Sequence, residues 1–214
     1  SSDLGYPGNF EVSVTYTLTD DNEIKIHYEG KSDKDTIANM TNHSYFNLNG
    51  HESGSIEGQV LQIFADAYTP VVDSSAIPTG EIASVEGTPM DFRTEKQIGQ
   101  DIRADFEQLH FTGGYDHNYV LGRPGEKKIM ANAYCRESGI ALEAETDCCG
   151  VQFYAGNFIG EQTGKGGASY HDRSAFCLES QFYPNAVNEP DFPSPVVKAG
   201  DTYHTETSYR FYLR

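Results

Sequence analysis

From Phe10 to Leu18 apolar and polar residues alternate strictly. Phe10, Val12, Val14, Tyr16 and Leu18 fall on one side, Glu11, Ser13, Thr15 and Thr17 on the other. A period of two is that of a β-strand, and the apolar set predicts one buried face. After the turn cluster Thr19-Asp20-Asp21-Asn22 the alternation resumes with Ile24, Ile26 and Tyr28, which predicts an antiparallel hairpin. Further strand-like runs stand at Ala38 to Leu48, Gln59 to Phe64, Asn118 to Leu121 and Ile129 to Cys135, then at Ile140 to Thr146, Val151 to Phe158, Ala175 to Phe182 and Tyr203 to Tyr212. Only Ile102, Phe106 and Leu109 are spaced for a helix, and a short one. The pattern predicts an all-β fold, a large antiparallel β-sandwich. No repeat, low-complexity tract or linker divides the chain, so residues 1–214 are expected to form a single domain. The Gly-rich stretch Gly160 to Arg173 reads as a long loop, either mobile or bordering a site.

Composition narrows the classes. A chain of 214 residues can remove roughly 70 % of its unfolded surface from water and needs neither disulfide nor metal to hold a core. Fifteen Lys and Arg against 32 Asp and Glu leave a formal charge of −17. Such a balance repels phosphate backbones and anionic lipid heads, which argues against nucleic acid and membrane as partners. The four cysteines lack C-x-x-C spacing, and the vicinal pair Cys148-Cys149 is a poor disulfide candidate. Free thiols fit a reducing compartment, and the expected location is cytoplasmic. The opening "SSDLGYPGNF" has no initiator Met and begins in turn residues, as in a chain that has been cut or trimmed.

Polar residues inside aromatic-rich strands need partners or a cavity to line, because an unpaired buried polar group costs about 1–3 kcal/mol. Four stretches carry such residues. In Asn39 to Gly50, His43 lies among Asn42, Ser44, Tyr45 and Asn47; alone it reads as a hydrogen-bonded structural histidine. In Gly113 to Leu121, paired glycines precede Asp116 and His117, and Asp116 either caps a turn or serves a site. In Gly150 to Phe158, Gln152, Tyr154 and Gly156 share one strand face, and an amide beside aromatics suits sugar hydroxyls as well as plain packing. In Ala175 to Asn185, alternation separates Phe176, Leu178 and Phe182 from Cys177, Glu179 and Gln181. Glu179 is then either a surface residue of an edge strand or a carboxylate tuned for proton transfer. Phosphate-binding glycine motifs and the hydrolase nucleophile elbow are absent, and no H-x-x-x-H or H-x-H pair suggests a metal site.

Taken together, "TNHSYFNLNG", "GGYDHNYVL", "GVQFYAGNF" and "FCLESQFYPNAVNEPDFPS", with "AYTPVVDSSAIPTGEIASVEGTPMDFR" and a terminal "GDTYHTETSYRF", resemble the aldose 1-epimerase (galactose mutarotase) family. The stretches occur in the family's order over nearly the whole chain. The resemblance implies a galactose mutarotase-like supersandwich, an open sugar groove, a small-molecule aldohexose as substrate and no cofactor. It implies that Glu179 is the general base, His43 the general acid, and Asp116 and Gln152 the holders of sugar hydroxyls. Ser180 stands where the family pattern leads one to expect threonine, with its side chain turned from the groove. Family members are longer, and their N-terminal portion supplies an Asn-Arg pair and a further histidine that nothing here matches. The chain therefore resembles the family's C-terminal portion, lacking N-terminal strands, with room for a chain or segment that supplies them. A non-catalytic carbohydrate-binding module on the same fold is the alternative. An epimerase of sugar phosphates is disfavoured by the acidic balance, and a hydrolase would use Glu179 and Asp116 as a carboxylate pair.

Overall fold

In a computed structural model, residues 5–214 are described. Their strands, in chain order, are β1 (Phe10–Leu18), β2 (Glu23–Ser32), β3 (Thr36–Ile37), β4 (Val60–Ile63), β5 (Ala67–Tyr68), β6 (Ala83–Ser84) and β7 (Lys96–Gln97). One short helix, α1 (Glu107–Thr112), intervenes. Then come β8 (Asp116–Val120), β9 (Lys128–Tyr134), β10 (Ile140–Thr146), β11 (Gly150–Tyr154), β12 (Gln162–Thr163) and β13 (Ser169–Tyr170). The last are β14 (Cys177–Gln181), β15 (Val196–Val197) and β16 (Thr202–Leu213).

Two antiparallel sheets dominate, one of seven strands in the order β1-β2-β16-β10-β9-β4-β7 and one of five in the order β14-β11-β8-β5-β6. The expected antiparallel sandwich is therefore present. Their facing sides supply the core: Leu61, Ile63, Met130, Leu142 and Tyr209 from the larger sheet meet Tyr119, Val151, Phe153 and Leu178 from the smaller. Aromatic rings fill the centre. Tyr115 stacks on Phe153 at 5.4 Å, and Phe92 meets Tyr115 edge-on at 4.9 Å, the offset arrangements that ring quadrupoles favour. The sheets are also tied by polar groups, since Tyr209 Oη donates to the Leu178 carbonyl at 2.7 Å and the hydroxyls of Ser180 and Thr207 meet. Ser180 thus points away from the groove side of β14, as expected.

The helix is short because its C-terminus is capped one residue later by Gly113, in the left-handed conformation at φ 65°, which few side chains tolerate. Gly114 continues the turn at φ 139°, and the paired glycines deliver the chain into β8 with Asp116 at its first position. Every helix that the described residues contain is too short to cross a membrane.

Three expectations need correction. Ala38 to Leu48 is not a strand; it is extended chain with a single bridge from Phe46 to Phe176. Its asparagines do the work of a ladder. Asn39 exchanges two side-chain bonds with the Phe182 backbone, and Asn42 and Asn47 accept from backbone amides two residues on. The run Val151 to Phe158 stops being a strand at Tyr154, because Gly156 turns left-handed at φ 66° where any Cβ would strike the Ala175 carbonyl. Gly156 therefore does not share the face of Gln152 and Tyr154. Finally, β1 forms and pairs with β2 from Phe10 to Leu18 as predicted, but its apolar face is not buried: Tyr16 is 63 % and Leu18 77 % exposed. As the edge of the larger sheet, β1 leaves Val12, Val14, Tyr16 and Leu18 exposed, with no second layer above them among the described residues.

This contrast predicts where the fold stores its stability. Truncating Phe153→Ala in the aromatic centre should cost about 3–5 kcal/mol, whereas Val14→Thr on β1 should stay within about 0.5 kcal/mol, the scale of ordinary surface changes. Urea unfolding followed by circular dichroism measures both, and equal losses would contradict the assignment.

Candidate active site

The smaller sheet has one face in the core and one turned outward, and the outward face is polar. On it lie Asp116 and Asn118 of β8, Gln152 and Tyr154 of β11, and Cys177, Glu179 and Gln181 of β14. The register makes them neighbours: Gln152 stands directly opposite Asn118 on one side and Glu179 on the other, and Tyr154 opposite Asp116 and Cys177. Gly150 keeps β11 close to its neighbours, since a Cβ there would meet Asn118 and Tyr183. Amide side chains then lock the row. Gln181 donates to Gln152 Oε1 at 3.1 Å, and Gln152 donates to Asp116 Oδ1 at 2.8 Å.

The chain from Ala38 to Leu48 crosses the outer edge of β14 and brings His43 over this face. Its Nε2 lies 3.5 Å from Glu179 Oε1, its Nδ1 3.4 Å from Cys177 Sγ, and its ring 5.1 Å from that of Tyr45. The result is a cavity of about 430 Å³ lined by His43, Tyr45, Asp116, Gln152, Tyr154, Phe158, Glu179, Gln181 and Pro184. All four residues singled out in the sequence, His43, Asp116, Gln152 and Glu179, line it. A second hollow of about 650 Å³ shares Tyr45 and Phe158 but has mostly apolar walls and no carboxylate. The ionisable chemistry is in the smaller one.

The sequence already set Tyr154 on the face of Gln152, but it did not single out Tyr45 and Phe158 as walls, or Gln181 as the amide that holds Gln152. Alternation already placed Gln181 beside Glu179, so that signal was available. Tyr45 and Phe158 come from irregular segments, where no period marks a face.

Electrostatics separate the two carboxylates. Burial, and then the negative charge of Asp116, push Glu179 up from 4.5 to about 7. Burial also raises Asp116, but the Gln152 hydrogen bond and the nearby His43 pull it back. Cys177 is pushed well above the usual thiol range by burial, with Glu179 and Asp116 adding to it, so its sulfur carries a proton at neutral pH. No Lys or Arg lines the cavity. His43, Cys177 and Glu179 bring possible ligand atoms within 4.8 Å of one another. The imidazole, however, turns Nδ1 to the sulfur and Nε2 to the carboxylate, so as placed it cannot offer one nitrogen to an ion shared by all three.

The sequence family follows from a comparison of the whole chain. A family model described as "Aldose 1-epimerase" matches residues 1–210. The chain belongs to the aldose 1-epimerase family. It is 45 % identical over 208 residues to galactose mutarotase of Sus scrofa, covering 97 % of this chain and 59 % of that protein. Against aldose 1-epimerase of Escherichia coli K12 it is 41 % identical over 212 residues, covering 98 % and 60 %. Among solved structures, an aldose epimerase homologue from C. elegans superposes with a TM-score of 0.84 at 29 % identity, over 99 % of this chain and 62 % of the other. Galactose 1-epimerase from Lactobacillus acidophilus NCFM gives 0.82 at 28 %, over 97 % and 58 %. The chain therefore spans about three-fifths of the length of these relatives.

The raised Glu179 gives a prediction for stability against pH. A carboxyl that is more basic folded than unfolded binds more protons in the native state between the two values, so stability falls as pH rises from about 4.5 through about 7. Removing the charge should reverse this. Glu179→Gln is expected to be more stable than the parent at pH 8 by on the order of 1–3 kcal/mol, and close to it at pH 4, where both carry a neutral group. Urea titrations at the two pH values measure the difference; an equal offset at both would mean that Glu179 has an ordinary acidity.

Proposed function

We propose that this chain carries the catalytic groove of an aldose 1-epimerase, interconverting the α and β anomers of free hexoses such as galactose or glucose. The observation that carries the reading is the pairing of His43 Nε2 with Glu179 Oε1 at 3.5 Å, in a sugar-sized cavity that also holds Asp116 and Gln152. A cyclic aldose changes anomer when a base takes the proton of the C1 hydroxyl while an acid protonates the ring oxygen, which opens the ring to the aldehyde. Rotation about C1–C2 and reclosure on the other face complete the exchange. Both oxygens are bonded to C1, so acid and base must be close neighbours.

Glu179 serves as the base, since a carboxylate at about 7 is a far better proton acceptor than one in water and still ionises near neutrality. His43 serves as the acid through Nε2, and the two exchange roles on ring closure. Asp116, oriented by Gln152 through Oδ1, has no protein donor on Oδ2 among the described residues and can accept from a sugar hydroxyl. Gln152 adds its own amide to the positioning. Tyr45, Tyr154 and Phe158 offer ring faces to the apolar side of a pyranose.

The four buried, unpaired thiols fit a reducing compartment, and the reading places residues 1–214 in the cytoplasm as a single aldose 1-epimerase-like domain. The uncovered apolar face of β1 supports a further polypeptide segment or chain lying over it in the active assembly.

Polarimetry of freshly dissolved α-galactose and α-glucose tests the activity. Equilibration should be faster with the folded protein than in buffer, with an ascending limb of kcat/KM near pH 7 as Glu179 loses its proton. Glu179→Gln should lower kcat by about 10²–10⁴ and change KM little. Saturable sugar binding by calorimetry without acceleration would replace the enzyme by a carbohydrate-binding module.

A further inference from the structure

Glu179 and His43 both act only if the imidazole keeps Nε2, rather than Nδ1, turned to the base. On the Nε2 side stands Glu179, but a 3.5 Å contact is too long to hold a ring firmly. Tyr45 and Tyr154 touch the ring by their faces and edges, at 5.1 and 6.2 Å between centroids, which restrains its plane but does not distinguish its two nitrogens. Flipping the ring would exchange them.

The group that distinguishes them is on the other side. Cys177 is fully buried two residues before Glu179 on the same face of β14, and its sulfur lies 3.4 Å from His43 Nδ1. Among the described residues the thiol has no other side-chain hydrogen-bond partner. A thiol is both a weak donor and a weak acceptor on a freely turning bond. When the ring is neutral with its proton on Nε2, S–H donates to Nδ1. When the ring is an imidazolium, or has just given up its Nε2 proton, Nδ1–H donates to the sulfur instead.

We infer that Cys177 is a positioning residue that holds His43 through Nδ1 in each of its protonation states, so that Nε2 remains the nitrogen that exchanges protons with the sugar. The inference rests on the acid and base assignment above. It explains why this place holds a thiol. A carboxylate here would hold the imidazolium too strongly to release its proton, and a methyl group would leave Nδ1 with no partner on that side. The other ionisable groups facing His43 are Glu179 of β14, Asp116 of β8, Tyr154 of β11 and Tyr45 of its own segment, and none of them lies against Nδ1.

Steady-state mutarotation across pH 5–9 on the parent, Cys177→Ala and Cys177→Ser tests it, with melting curves to show that each is folded. Cys177→Ala should lose about tenfold in kcat with KM within twofold. Cys177→Ser, nearly isosteric and still both donor and acceptor, should recover most of that rate. The descending pH limb, which reports the protonated acid, should order as Ala below Cys below Ser, because a hydroxyl oxygen accepts from Nδ1–H more strongly than sulfur and a methyl group not at all. Equal kcat and coincident pH limbs in all three proteins would overturn the inference. So would equal losses in both variants with unmoved limbs, which would mark a packing role. If Cys177→Ala does not fold, the limb of Cys177→Ser alone decides. Glu179→Gln measured in parallel keeps the two ideas apart: full turnover in that variant sinks the assignment of the base, whatever Cys177 does.

Discussion

The antiparallel register of β8, β11 and β14 is the constraint on which the rest depends. Because successive residues of a strand face opposite sides, a slip of one position would send Glu179 and Gln152 into the aromatic core and bring Leu178 and Phe153 out. The register is held from within the core by the large side chains of Phe153 and Tyr119, and by the Tyr209 and Thr207 hydroxyls that reach β14 from the opposite sheet. On the outer face, the amides of Gln181 and Gln152 bond only in the register that sets them side by side. Core packing and site geometry are therefore two readings of one alignment.

The polar face also shows how a fold holds two carboxylates near each other without a cation in the cavity. Burial raises Asp116 too, but the amide of Gln152 at Oδ1 and the nearby His43 partly offset it. Glu179 has no such donor and takes up the cost as a raised proton affinity. The same functional group thus meets two different environments on one sheet face. A proton held near neutrality is destabilising to store as a charge and useful to move. The aromatic walls of Tyr45, Tyr154 and Phe158 help to withhold water from Glu179.

Much of this was legible in the sequence, because alternation is a direct record of which side of a sheet a residue faces. β10 was read to the residue, and Cys177, Glu179 and Gln181 were placed together on one side of β14. The reading failed where side chains replaced the backbone ladder: the apolar residues of Ala38 to Leu48 mimic a strand, while Asn39, Asn42 and Asn47 hold it as an ordered crossing. It failed again at β1, since alternation says which residues share a face and not whether another layer lies over them. The contact of Cys177 with His43 left no local trace, because it joins a strand to an irregular segment.

That contact spans 134 residues of chain. A site closed by so distant a pair cannot form in any local fragment, since the entropy of closing long loops is repaid only after the sheets between have docked. The groove is thus complete only when nearly the whole chain is folded. Any ligand bound there would act on the unfolding equilibrium of the whole fold rather than on a local part of it.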